Sequence, residues 1–218
     1  MRFIDNIHTY NLADSFDFDL DGLLTPTVPT PETREAWSST DLATMGYGYS
    51  TEETPLHILT FYNAIANKGR MMKPYLVEDI EQNGIVVKKR GPSVLNASIC
   101  SRAVADTMTR ALKAVTEEGT AKRLKNAKCK VAGKTGTSFG TFDNGQYSDE
   151  AGRKKYQGTF VGFFPADKPE YSVICTVYSS PTLKSFQGGG IPARAIKTMI
   201  DGIYTIDPVF RNTMEKTK

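Results

Sequence analysis

Apolar positions along the chain recur first at helical and later at strand spacing. In "TPLHILTFYNAIANKG" Leu56, Leu59, Tyr62 and Ala66 mark one helical face, and Ile58, Phe61 and Ile65 mark another. A helix apolar on most sides is buried within a domain. Thr54 suits the N-cap, Pro55 the first helical position, and Gly69 is expected at C′. "PYLVEDIEQNGIVVKKR" reads as two strands about Asn83-Gly84, a tight hairpin turn. "SRAVADTMTRALKAVTEEG" returns to helical period, with Val104, Met108, Ala111 and Val115 as its apolar stripe. Ser101 is its expected cap and Gly119 its stop. Thr120 is placed to cap a further short turn, "AKRLK".

Beyond that turn the pattern is that of strands. "KCKVAGKTGTS" alternates at first. "GTFVGFF" (158 to 164) and "EYSVICTVY" (170 to 178) are short, apolar and rich in β-branched and aromatic residues. The compact "PADKPE" between them predicts antiparallel pairing, and their near-continuous apolarity predicts cover on both faces. "PARAIKTMIDGIY" predicts a last helix with Ile196, Met199 or Ile200, and Ile203 facing the sheet. The layout is α+β, an antiparallel sheet packed with helices. Residues 1 to 45 form an irregular lead-in, in which "TPTVPTPET" favours extended surface backbone. Residues 54 to 125 are a helical part with a hairpin, 128 to 204 the strands and last helix, and 205 to 218 a tail. A stretch without period from Phe139 to Gln157 is expected to be a functional or mobile loop beside whatever site "GKTGTS" forms.

Composition narrows the chemistry. The 218 residues carry 27 basic and 24 acidic side chains, a formal charge of +3, which gives no reason to invoke nucleic acid. No stretch approaches the ~18 apolar residues of a membrane span, and "MRFIDNIHTYNL" lacks the apolar core of a signal peptide. Cys100, Cys129 and Cys175 have neither disulfide nor zinc spacing; Cys129 and Cys175 read as buried thiols. His8 and His57 cannot make a histidine-rich metal site and read as ordinary surface or core residues. No metal or cofactor is called for.

That leaves "VAGKTGTSFG" (131 to 140), where Lys134 stands between glycines. A phosphate loop would need a glycine at position 128, which is Lys128, and a helix after the threonine; "GTSFGTFDNG" has no helical period. A plain edge strand with a surface lysine would gain nothing from its glycines. An edge strand lining an acyl-transfer cleft uses every part. It pairs with a peptide, Gly136 keeps the space clear, Thr135 and Thr137 hold a carboxylate, and Lys134 supplies positive charge.

"VAGKTGTS" resembles the K-T-G box of penicillin-binding transpeptidases and serine β-lactamases. The "GYG" loop, "TPL", "ANKGRMMKP", "VTEEGTAKRL" and "FVGFFPADKPEYSVICTVY" resemble segments of class B penicillin-binding proteins, from about Asp14 to Tyr204. "TFYNAIANKGRMMKP" is most like the septal, cell-division branch. The resemblance implies a partial penicillin-binding/β-lactamase-like fold holding three of five sheet strands. It implies a parent D,D-transpeptidase that cross-links D-Ala-D-Ala stem peptides through a serine ester and is stalled there by β-lactams. It makes Lys134 and Thr137 catalytic, with the Thr137 N–H as one oxyanion donor, and Thr135, Gly136 and Thr137 substrate-binding. It also implies an extracytoplasmic location, an upstream membrane anchor and cell-division partners. No serine here begins S-x-x-K or S-x-N, so truncation and an inactive chain are expected. A non-catalytic sensor or scaffold module is the alternative from another class, separated by the boxes of the parent gene. A serine β-lactamase is the other, and no segment resembles its deacylation loop.

Overall fold

The computed structural model describes residues 2–35, 37–142, 146–179 and 186–215. The chain divides into two compact units, Met1–Arg102 and Ala103–Lys218. The division falls inside the stretch expected as one helical part: the hairpin lies in the first unit and the following helix in the second.

In the first unit the lead-in is less irregular than expected, for it carries helices α1 (Arg2–Thr9) and α2 (Asp41–Met45). Thr27 of the proline-rich stretch forms a bridge with Glu52. Helix α3 (Pro55–Ala66) begins where Thr54 and Pro55 predict, with the Thr54 hydroxyl accepting from His57 N–H at 3.3 Å. It ends one residue earlier than Gly69 suggests. Asn67 is the C-cap, Lys68 N–H donates to Ile65 O (3.1 Å), and Gly69 N–H donates to Ala64 O (2.8 Å). That pairing puts Lys68 (φ 59°) at C′ and Gly69 (φ 98°) at C″. Gly69 answers a second need as well, because a Cβ there would strike the Cys100 carbonyl. His57 is a satisfied core histidine: Thr54 Oγ1 lies 2.6 Å from Nδ1 and Asp14 O 3.1 Å from Nε2. Burial lowers its pKa.

Strand β1 (Met71–Met72) pairs antiparallel with β4 (Val94–Asn96). Between them, β2 (Asp79–Gln82) and β3 (Ile85–Lys89) make the expected hairpin. Asn83 and Gly84 both have positive φ, 54° and 76°, as a type I′ turn requires. Asp19 anchors the hairpin's base by accepting from Leu76 N–H (2.6 Å), Val77 N–H (3.0 Å) and the Arg90 guanidinium.

The second unit begins one residue into α4 (Arg102–Glu117). Its buried face is Ala105, Thr109, Leu112 and Thr116, whereas Val104, Met108 and Ala111 of the predicted stripe are exposed. Thr109 is buried at no polar cost because its hydroxyl donates to Ala105 O at 2.9 Å. Thr116 likewise donates to Val131 O at 2.6 Å, tying the helix to the chain entering the sheet. After a 3-10 turn (Lys122–Leu124), the sheet follows in the order β5 (Ala132–Gly140), β6 (Lys155–Phe164), β7 (Tyr171–Tyr178), antiparallel throughout. Both strands extend into the expected 139-to-157 loop and confine it to 141–154, of which 143–145 lie outside the described residues.

Strand alternation sends Phe160, Phe164, Tyr171, Val173 and Cys175 to one face. There α5 (Ile191–Ile206) packs Ala193, Ile196 and Ile200 into the core. Ile200 rather than Met199 is the inward residue; Met199 is exposed. The expected tail contains α6 (Pro208–Glu215), whose Phe210 and Met214 join the same core. Phe210 meets Phe164 and Tyr171 edge-on, with centroids 6.2 and 5.5 Å away. Full burial of each such side chain contributes roughly 1.5–3 kcal/mol.

Candidate functional site

Strand β5 leaves the core at its start and reaches solvent along its length. Val131 and Ala132 are buried, and Gly133 lies so close to the Phe160 ring and Val161 O that no Cβ fits. From Lys134 onward the strand is exposed or half-buried, and among the described residues β6 is its sole strand partner.

Alternation sorts the expected site residues. Gly133, Thr135, Thr137 and Phe139 share a face with Tyr156, Gly158 and Phe160 opposite them; Lys134 and Gly136 belong to the other face. The structure brings Thr135 and Thr137 together in an open groove of about 390 Å³, lined also by Thr120, Tyr156, Phe186, Gln187 and Gly189. Lys134 and Gly136 do not line it. The Lys134 ammonium donates to Thr135 O at 2.9 Å, and Gly136 is exposed with room for a Cβ.

The far wall of the groove was not anticipated. Phe186 and the glycines after it lie directly on the sheet because three side chains are missing. A Cβ on Gly158 would run into the Phe186 ring, one on Gly188 into the carbonyls of Gly136 and Thr159, and one on Gly189 into the Thr120 carbonyl. The sequence signal was "FQGGG": three glycines in a row mark a close approach of backbones. Thr120 was expected to cap the next turn. That turn has no side-chain cap; the Thr120 hydroxyl instead lies 2.7 Å from Thr135 Oγ1.

Hydrogen-bond accounting shows what the groove offers. Thr137 Oγ1 accepts from Gly188 N–H at 3.0 Å, so its own hydrogen is left to donate. The Thr120–Thr135 pair shares one bond between two hydroxyls, so one further hydrogen is left. Two O–H donors side by side in a half-open groove fit an anion with two acceptor oxygens, such as a carboxylate. Among the described residues no cluster of metal-ligating side chains exists, and no helix is long and apolar enough to cross a membrane.

At the other end of the groove, Tyr156 packs on Phe139 with centroids 5.2 Å apart. Asp149 in the 141–154 loop accepts from Arg153 N–H (2.8 Å), Ala151 N–H (3.0 Å) and Arg153 Nε (2.7 Å). The Arg153 backbone donor above all holds its carboxyl below the usual range. All three cysteines are free and partly buried, and burial pushes the Cys129 thiol up to about 12.

Residues 7–201 match the family described as "Penicillin binding protein transpeptidase domain". "Penicillin-binding protein H" of Bacillus subtilis is 36% identical over 129 residues, 56% of this chain and 18% of that protein. "Peptidoglycan D,D-transpeptidase FtsI" of Buchnera aphidicola is 27% identical over 174 residues, 79% of this chain and 28% of that protein. The chain thus spans less than a third of either relative. Penicillin binding protein 3 of Mycobacterium tuberculosis, solved with aztreonam, superimposes with a TM-score of 0.76 at 23% identity, over 94% of this chain and 46% of that one. That likeness establishes the fold.

Proposed function

The chain belongs to the penicillin-binding protein transpeptidase family, and on that premise we propose that β5 is one wall of the acyl-transfer cleft of a peptidoglycan D,D-transpeptidase. The observation that carries the reading is the pair of hydroxyl donors, Thr137 and the Thr120–Thr135 couple, in a groove along an open strand edge.

The donors hold the terminal carboxylate of a D-Ala-D-Ala peptide whose backbone runs along β5. The attacking serine comes from a segment outside these 218 residues, for no serine here has lysine three residues on. Its oxygen adds to the penultimate carbonyl, with the Thr137 N–H as one donor to the developing oxyanion. The terminal D-Ala leaves, and an amine from a second stem peptide takes the acyl group. Lys134 directs its charge toward the reacting centre once its ammonium exchanges the Thr135 carbonyl for the serine boxes. Gly136 takes part through its backbone, as a segment of the strand edge along which the peptide runs. Peptidoglycan chemistry places the protein outside the cytoplasm, with its anchor in that same outside segment. The "TFYNAIANKGRMMKP" stretch and the FtsI relative favour the division branch and division-protein partners.

The test is two measurements on the 218-residue chain. Fluorescent penicillin leaves no covalent adduct, because the nucleophile is missing. A diacetyl-lysyl-D-Ala-D-Ala peptide binds reversibly, and Thr137→Val weakens it about tenfold by removing a hydrogen bond to a charged group. A stable adduct, or unchanged affinity in the variant, would overturn the reading.

A further inference from the structure

The groove does not stop at the threonines. Tyr156 lines it. Tyr156 packs on Phe139, and the Lys154 ammonium stands over the Phe139 ring, 4.3 Å from its centroid. Lys155 repeats the arrangement on the next ring along, 4.4 Å from Phe142.

These contacts restrain the lysines without neutralising them. A ring face attracts an ammonium through its quadrupole and carries no net charge. Asp149, five residues before Lys154, is taken up by Arg153. Among the described residues no carboxylate pairs with Lys154 or Lys155. Among the described residues the groove therefore ends in positive charge without a carboxylate partner, on an aromatic ledge.

The burial of β5 sets the direction in which a ligand meets that ledge. A peptide with its carboxylate at Thr135 and Thr137 cannot extend toward Val131 and Ala132, which are buried. It extends the other way, past the exposed or half-buried Gly136 to Gly140. At about 3.3 Å per residue, the side chain two or three residues before the terminal carboxylate arrives beside Phe139 and Lys154.

We propose that Phe139, Tyr156 and Lys154 form a specificity subsite for a carboxylate-bearing residue of the peptide, upstream of the bond that is cleaved. The proposal rests on the reading of the groove as a D-Ala-D-Ala site, and it names which peptides that site prefers. Apolar atoms of the residue lie on the Phe139–Tyr156 pair and its carboxylate meets the Lys154 ammonium. Lys155 strengthens the field from the next ring.

The experiment compares two peptides on the full chain at low salt: N-acetyl-Glu-D-Ala-D-Ala and N-acetyl-Gln-D-Ala-D-Ala, with dissociation constants from NMR titration. The glutamyl peptide is expected to bind about fivefold more tightly, the effect of one partly exposed charge pair. Lys154→Gln abolishes the preference by weakening the glutamyl peptide alone, and Lys154→Arg keeps it. Thr137→Val weakens both peptides alike and leaves their ratio unchanged. A ratio near one in the unmodified chain, or a ratio insensitive to Lys154→Gln, overturns the subsite while the groove assignment stands. Failure of both peptides to bind overturns both.

Discussion

The hydroxyl of Thr120 lies 2.7 Å from that of Thr135, joining the turn after α4 to the strand that carries the lysine–threonine motif. The bond fixes how many hydrogens the groove can donate, so Thr120 shapes the ligand site without belonging to the motif. Thr120→Val leaves Thr135 free to rotate away from the ligand. Affinity for a D-Ala-D-Ala peptide should fall about fivefold, equivalent to about 1 kcal/mol for one hydrogen bond. Thr120→Ser should retain it. Thermal stability should change little, because Thr120 is exposed.

Gly188 supplies a sharper test of the far wall. Its N–H orients the Thr137 hydroxyl, and its missing side chain lets it rest on the carbonyls of Gly136 and Thr159. Those carbonyls belong to the sheet and cannot move aside. Gly188→Ala should lift the wall off β5, costing about 1–3 kcal/mol of stability as overpacking does, and should release Thr137. Loss of peptide binding with a lowered denaturation midpoint is the expected pair of results. Gly202→Ala is the control, since a Cβ there meets open space.

These two positions also show where sequence reading reaches and where it stops. Thr54-Pro55 and Asn83-Gly84 carry their meaning within a few residues, so α3 and the hairpin were legible. The strands announced themselves by composition, and the motif on β5 by its glycines. The buried face of α4 was misread because threonine counts as polar in a pattern, yet Thr109 and Thr116 satisfy their hydroxyls on nearby carbonyls and go inside. Helix α6 was missed because only Phe210 and Met214 of its eight residues are buried. The Phe186–Gly190 wall depends on which glycine faces which backbone across two strands and a turn, and no local pattern encodes that.

Glu53 makes the first unit sensitive to pH. Its Oε2 is buried with no hydrogen-bond partner among the described residues, and burial raises its carboxyl from a usual value near 4.5 to about 7. The folded chain therefore binds a proton that the unfolded chain has released between those values, and stability falls as pH rises through that window. Above about pH 7 the full cost of an unpaired buried carboxylate is present. Glu53→Gln should stabilise by about 1–2 kcal/mol at pH 8, allowing for the partial exposure of the side chain. At pH 4 it should do nothing. Melting curves of the two proteins that run parallel across pH 4 to 8 would refute the assignment.

The outer edge of β7 gives the last expectation. Tyr171–Tyr178 pairs with β6 on one side, and among the described residues no strand pairs with the other. Its sequence, "YSVICTVY", contains no proline and no charge, the devices by which sheet edges are ordinarily protected. Helices cover one face through Val173 and Cys175, while Ile174 and Thr176 on the opposite face are half-buried. An edge with no strand partner among the described residues, set between two such faces, will accept another strand. Light scattering should therefore register concentration-dependent oligomers of the chain from micromolar concentration upward. Ile174→Lys places a charge at the middle of that edge, where an added strand would have to desolvate it, and should shift the distribution toward monomer. The groove lies along the β5 side of the sheet, so peptide affinity should be unchanged in this variant. A monodisperse monomer at every concentration would mean that the β7 edge is protected in some other way.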